Sequence, residues 1–216
     1  MRITEIELLS NNLDSTIRFY RDLMGFEVAD GSEDHVSFKA GDSLLTFVKS
    51  DIDIPVYHFA FNIPTHTLME ALDWSRKLVP IIPVNETEEI ADFVSWNAKA
   101  FYFEDNNGNI LEFIARYNLK DNYGGAFSAK SILSISEIAI VVDDVTETRK
   151  QFSEKYGLSV FAGTSMENFA AMGSDEGLFI ISEKGREWYA THMQAESAWS
   201  RISFESAGRS YEITTE

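Results

Sequence analysis

The chain has 216 residues, 44% of them hydrophobic, which suffices for one large domain or two small ones. Its net charge of −17, with no basic cluster to offset it, excludes nucleic acid and anionic membrane as partners. Cysteine is absent, so disulfides, thiolate metal sites and catalytic thiols are excluded. No apolar run is long enough to cross a membrane, and the N-terminal MRITEIELLS carries carboxylates where a signal peptide needs apolar residues, so a cytoplasmic protein is expected. The acidic surface favours solubility, and neutral or cationic ligands or metal ions over anions.

Residues 3–10 read as a two-faced strand, with Ile6 and Leu8 on one face and Glu5, Glu7 and Leu9 on the other. A helix over 14–24 follows, with Ile17, Tyr20, Leu23 and Met24 on one stripe and Gly25 as its stop. Short strands at 26–29, 35–39 and 43–49 complete a βαβββ unit. A more divergent unit follows. It has a strand over 56–63, then a helix over 67–78 opened by a capping box from Thr67 to Glu70. Its last part is a hairpin of 99–104 and 110–116 around Asn107-Gly108. Between helix and hairpin, the acidic stretch 85–98 with Phe93 and Trp96 reads as a strand plus a long loop, a candidate lid. The polar segment 118–130 with Gly124-Gly125 reads as a linker.

Residues 135–180 then repeat 3–48 at one constant offset without a gap. Ile3/Ile135, Glu5/Glu137, Gly25/Gly157, Gly41/Gly173 and Phe47/Phe179 are identical pairs, and glycines in phase imply two copies of one supersecondary unit. Asp144 to Glu147 makes a capping box for the second copy's helix. Residues 183–216 are too short for a fourth unit, and 201–213 echo the hairpin 100–113. The fourth unit is thus read as cut down to its terminal hairpin. The fold class expected is α+β: paired βαβββ units forming a curved mixed sheet with helices on its outer face, plus a truncated second copy of the same domain. The domains are expected at 1–117, with the candidate site, and at 131–216, joined by 118–130.

Glu5 and His58 lie early in the first strands of units one and two, and Glu112 lies in the last strand of unit two. All three fall on the face opposite the large apolar residues. If the two units pair side by side, these side chains converge in the concavity of a shared sheet. A divalent metal then satisfies groups that are costly to bury alone. Alternatives stand beside this: Glu5 as a solvated carboxylate or a partner of Arg116, and His58 as a satisfied core histidine.

The sequence resembles the vicinal oxygen chelate superfamily, which includes glyoxalase I, fosfomycin- and bleomycin-resistance proteins, methylmalonyl-CoA epimerase and extradiol dioxygenases. The resemblance rests on Leu13-Asp14-Ser15-Thr16-Ile17-Arg18-Phe19-Tyr20 through Met24-Gly25-Phe26, on Tyr57-His58-Phe59-Ala60-Phe61, and on Phe103 through Asn107-Gly108 to Glu112. It implies metal ligands at these strand positions, matched by His58 and Glu112. Glu5 stands where His or Gln is common, and Thr46 where glyoxalase-like members supply a carboxylate. The expected cofactor is a divalent ion, Mn²⁺, Zn²⁺, Ni²⁺, Fe²⁺ or Mg²⁺, held by Glu5, His58 and Glu112, with Glu7 as catalytic base. Thr46, Phe93, Trp96 and Phe103 are candidate substrate contacts.

The reading implied is Lewis-acid chemistry on a small molecule chelated through adjacent oxygens, by a lyase, isomerase, transferase or oxygenase. Extradiol cleavage is disfavoured by Glu5. The alternative is a metal-free protein that sequesters a small ligand, as bleomycin-resistance proteins do. The second half, with Glu137 and Glu212 matching Glu5 and Glu112 but no matching His, is expected to bind no metal and to cover a sheet edge or support a homodimer.

Overall fold

A computed structural model describes residues 1–121 and 123–216. Strand β1 (Arg2–Ser10) is followed by helix α1 (Leu13–Ile17), capped by the Asn12 side chain, which accepts from the Ser15 N–H at 3.0 Å. The helix widens into a π-helical turn over Arg18–Leu23, which buries both Phe19 and Tyr20, rings 5.1 Å apart. Gly25, at φ +81°, ends it. Strands β2 (Glu27–Gly31), β3 (His35–Ala40) and β4 (Ser43–Lys49) close the first unit.

The second unit runs through β5 (His58–Asn62), α2 (Leu68–Ser75), β6 (Ile81–Ile82), β7 (Ala91–Phe93), β8 (Ala98–Glu104) and β9 (Ile110–Arg116). The expected box at Thr67 does not form. The Thr67 hydroxyl donates to the Pro64 carbonyl at 2.8 Å in a preceding 3₁₀ turn, and Glu70 accepts from the Phe127 N–H at 3.0 Å. Asn122, within the expected linker 118–130, lies outside the described residues; nearby, Phe127 is buried with its ring 5.4 Å from that of Trp74.

The third unit comprises β10 (Ser134–Val142), α3 (Val145–Tyr156), β11 (Val160–Ser165), β12 (Phe169–Ser174) and β13 (Gly177–Glu183). Here the Asp144 cap forms, accepting from the Glu147 N–H at 2.8 Å, and Gly157 ends the helix at φ +68°. Of a fourth unit there are β14 (Ser200–Ser206) and β15 (Arg209–Thr215). Among the described residues, no helix is long and apolar enough to cross a membrane.

The strands form two curved mixed sheets. One has the order β15-β14-β1-β4-β3-β2; the other runs β11-β12-β13-β10-β5-β9-β8-β6, with β7 paired to β8. Units one and two therefore do not share a sheet. Unit two pairs with unit three, β5 antiparallel to β10, and unit one pairs with the fourth-unit hairpin, β1 antiparallel to β14. Both sheets draw strands from both sides of 118–130. The helix-facing sides of both sheets and the helices share one core, which includes Ile3, Tyr20, Phe47, Phe61, Phe113, Ile138, Phe179 and Phe204. Within it the Tyr20 hydroxyl donates to Asp105 at 2.8 Å, tying unit one's helix to unit two's hairpin.

Two features of the repeat differ from the gapless match. Glu5 stands opposite Leu44, and Glu137 opposite Leu178, so the second copy is two residues longer between first and last strands. Gly41/Gly173 and Phe47/Phe179 are thus identical without being equivalent. The fourth-unit hairpin echoes β8–β9 in sequence, yet β14 takes the place of β5 beside a first strand. β15 then lies antiparallel where β9 lies parallel, because two residues between strands allow only a hairpin and a parallel neighbour needs a crossover.

The units meet at Gly41, at φ +62°, where an added Cβ would lie 2.1 Å from the Leu133 carbonyl oxygen. Gly41→Ala is expected to lose roughly 3 kcal/mol or more in urea denaturation, from strain and the backbone clash together. Gly124→Ala, whose methyl meets nothing, should stay within about 0.5 kcal/mol of the parent.

Candidate metal centre

The site arises from strand register. In β10 a bulge lies between Ile135 and Glu137, so Ile135 and Ile138 both face the helices while Glu137 turns to the concave side. Glu137 then stands opposite Ala60 of β5, and on the other flank Ala60 stands opposite Glu112 of β9. The small Ala60 leaves the two carboxylates facing each other across one strand. His58, two residues earlier in β5, shares their face. His58, Glu112 and Glu137, all buried, each offer one ligand atom within 4.8 Å of the others, the one such cluster among the described residues.

The His58 tautomer follows from its partner. Nδ1 is 3.1 Å from the Ile110 carbonyl oxygen, which only accepts, so Nδ1 carries the proton and Nε2 presents its lone pair. Nε2 is 3.7 Å from Glu112 Oε2, wider than a hydrogen bond. Burial lowers the His58 pKa to about 4, which keeps the ring neutral near pH 7. Burial, and then the charge of Glu137, push Glu112 well above the usual carboxylate range, and its Oε1 has no hydrogen-bond partner among the described residues. Burial raises Glu137 as well, against the pull of Arg116. Arg116, at the end of β9, pairs with Glu137 and donates from Nε to Ser136 Oγ at 3.0 Å.

A cavity of about 250 Å³ opens above this floor, walled by Phe93, Trp96, Tyr102, Trp188 and Tyr189. Phe93 and Trp96 come from the acidic segment read as a lid; their rings are 5.4 Å apart, and Trp96 Nε1 donates to Thr164 Oγ1 at 2.7 Å. Trp188 and Tyr189 come from the stretch between β13 and β14, folded back by the bonds Trp188 N–H to Met193 O and Ala195 N–H to Arg186 O. The Trp188 ring lies 5.5 Å from that of His58.

Of the residues singled out in the sequence, His58, Glu112, Phe93 and Trp96 come together here. Glu5, Glu7, Thr46 and Phe103 do not. Thr46 donates to Glu5 at 2.7 Å in the other sheet, and Arg201 binds both oxygens of Glu7, at 2.7 and 2.5 Å. Phe103 faces the helices, its ring 5.0 Å from that of Phe113, while its neighbour Tyr102 stands opposite Glu112. Glu137, expected to hold no metal, lies in the cluster because its strand, not β1, pairs with β5.

The six-stranded sheet shows what became of the other copy. Glu5 sits behind the same bulge in β1, opposite Ser203, which in turn faces Glu212. Phe59 pairs with Ile138 as Ile202 pairs with Ile6, so Arg201 occupies the place of His58. A cation stands where the imbalance of carboxylates needs one. Arg116, weighed in the sequence as a partner of Glu5, pairs instead with the matching Glu137. Sequence reasoning missed Tyr102 and Trp188 as site residues; the parity of β8 and β9 marks Tyr102 as the neighbour of Glu112, but no local signal marks Trp188.

His58 gives a pH dependence of defined sign. Its folded pKa, about 4, lies below the ordinary 6.5, so its contribution is full above pH 6.5 and lost as pH falls through 4. In urea denaturation the metal-free chain should lose about 3 kcal/mol relative to His58→Gln between pH 7 and pH 4. Parallel stabilities of the two proteins across that range would contradict the assignment.

The comparisons agree with this architecture. The family model described as Glyoxalase/Bleomycin resistance protein/Dioxygenase superfamily matches residues 2–113, more than half of the chain. A Bacillus subtilis subsp. subtilis str. 168 protein provisionally assigned as a dioxygenase superposes with a TM-score of 0.65 at 14% identity, covering 99% of this chain and 84% of that one. Glyoxalase I from Zea mays does so with a TM-score of 0.56 at 13% identity, covering 99% of this chain and 92% of that one. These two likenesses show the fold. No curated protein matches the chain. The chain belongs to the glyoxalase/bleomycin resistance protein/dioxygenase superfamily.

Proposed function

We propose that this protein is a small-molecule metalloenzyme whose divalent cation is held by His58, Glu112 and Glu137. The observation that carries the proposal is the buried Glu112 oxygen without a protein partner, set beside a second carboxylate and a neutral imidazole. An orphaned acceptor in so dry a place is costly, and a cation removes the cost. The donor set fits. Ligand bonds of about 2.0–2.2 Å hold donors within roughly 4.4 Å of one another, and these three ligand atoms already lie within 4.8 Å. The Ile110 carbonyl fixes the His58 ring in the orientation that ligation requires.

A bound divalent cation supplies Lewis acidity to a ligand's adjacent oxygens. The chain's own residues do the rest. Phe93, Trp96 and Tyr189 exclude water from the floor, and the aromatic walls hold a compact or flat ligand over it. Burial, together with the Glu112 and Glu137 charges, pushes the Tyr102 hydroxyl well above its ordinary pKa, so it stays protonated beside Glu112 as a donor. Lyase, isomerase, transferase and oxygenase chemistries are all compatible with this arrangement.

A cytoplasmic homodimer remains part of the proposal. One chain supplies every residue of the cluster, so the dimer is not needed to complete it. A second reading, metal-free ligand binding, is favoured by one observation: Arg116 already neutralises Glu137.

Metal analysis by mass spectrometry separates the two. After loading with Mn²⁺ or Zn²⁺, the parent and Glu5→Gln should retain about one ion per chain, and His58→Gln, Glu112→Gln and Glu137→Gln should each lose affinity about tenfold or more. A parent that retains no ion leaves the binding-protein reading standing. Loss of the ion in Glu5→Gln contradicts the ligand set.

A further inference from the structure

Arg116 is the most deeply buried charged residue among the described residues, its side chain fully shielded from solvent. Nη2 pairs with Glu137, Nε donates to Ser136 Oγ at 3.0 Å, and the guanidinium lies 5.4 Å from the Trp96 ring centre and 5.5 Å from that of Phe161. Nη1 has no partner among the described residues. Such a group cannot lose its proton, and Arg is also the residue whose flat face suits stacking between rings. It is therefore a fixed positive charge beside a candidate ligand.

That charge changes what the cavity can accept. Glu112 and Glu137 balance a divalent cation, and His58 adds nothing. With Arg116 counted, the loaded floor carries one surplus positive charge behind aromatic walls, where uncompensated charge is costly. Arg186, which lines the same cavity with its guanidinium 4.4 Å from the Phe169 ring centre, has the same sign.

The geometry points to Arg116 as a specificity-determining residue: it makes the metal-loaded site select a ligand that binds its adjacent oxygens as a monoanion. This rests on the proposed metal centre. Arg116 touches Glu137 rather than the ligand, so it acts by charge and by leaving Glu137 a single oxygen for the ion.

Calorimetry on the metal-loaded chain tests this with N-methylacetohydroxamic acid, which ionises at its hydroxyl, and its O-methyl ether, which has no acidic proton. Metal content is measured first. The parent should bind the hydroxamic acid about tenfold or more tighter than the ether, and release about one proton per chain on binding at pH 7, read from titrations in two buffers. Arg116→Gln should weaken the hydroxamate about tenfold while leaving the ether within about threefold, and should bind Mn²⁺ about tenfold more tightly because a repelling charge is gone. Arg116→Lys keeps the charge and should keep the hydroxamate preference. Opposite changes in metal and anion affinity are not what a loosened fold produces.

An Arg116→Gln protein that binds the hydroxamate like the parent overturns the inference and leaves the metal centre intact. If that variant does not fold, hydroxamate binding to the parent without proton release overturns it, as does loss of the preference in a folded Arg116→Lys. A parent that takes up no ion overturns the metal centre, and this inference with it, before any probe is added.

Discussion

β5 and β10 pair antiparallel from Asn62 opposite Ser134 to Phe59 opposite Ile138, with one extra residue accommodated in β10 just before Glu137. That bulge keeps Ile135 and Ile138 in the core and turns the intervening carboxylate to the concave face. Everything at the site follows from it. Glu137 arrives opposite Ala60, Glu112 lies on the other flank, and the side-chain room left by alanine brings two buried acids and an imidazole together. Neither half of the chain builds this constellation alone.

The same bulge occurs in β1 at Glu5, so the six-stranded sheet preserves the frame of a second site. Its partner unit has lost the helix and the crossover that a parallel last strand requires. What is left is a hairpin, with Arg201 in the place of the imidazole and Glu212 in that of Glu112. There the cation is the protein's own: Arg201 binds Glu7 directly, and Glu212 and Glu5 act on the same guanidinium. The stretch that replaces the lost elements folds Trp188 and Tyr189 over the other sheet's cavity. Truncation of one site thus supplies a wall to the other.

Much of this was legible in the sequence. Strand alternation and capping residues gave β1, α1, α3 and the β8–β9 hairpin, and the family motifs gave His58 and Glu112. What local pattern does not carry is the choice of neighbour. Glu5 and Glu137 sit in matching strands behind matching bulges, and their surroundings differ because one strand lies beside Arg201 and the other beside His58. Chance identities at Gly41/Gly173 and Phe47/Phe179 also concealed the two extra residues before β13. Alternation along β8 puts Phe103 on the helix side and Tyr102, one residue earlier, on the face of Glu112. Trp188 lies in irregular chain whose path depends on the missing unit, and periodicity says nothing of it.

The most direct measurement is anomalous diffraction from crystals of the Mn²⁺- or Zn²⁺-loaded protein. Expected is one strong anomalous peak per chain, about 2.0–2.3 Å from His58 Nε2 and from a carboxylate oxygen each of Glu112 and Glu137. A peak at Glu5 and Glu7 instead, or Arg116 filling the space between Glu112 and Glu137 with no peak at all, would contradict it.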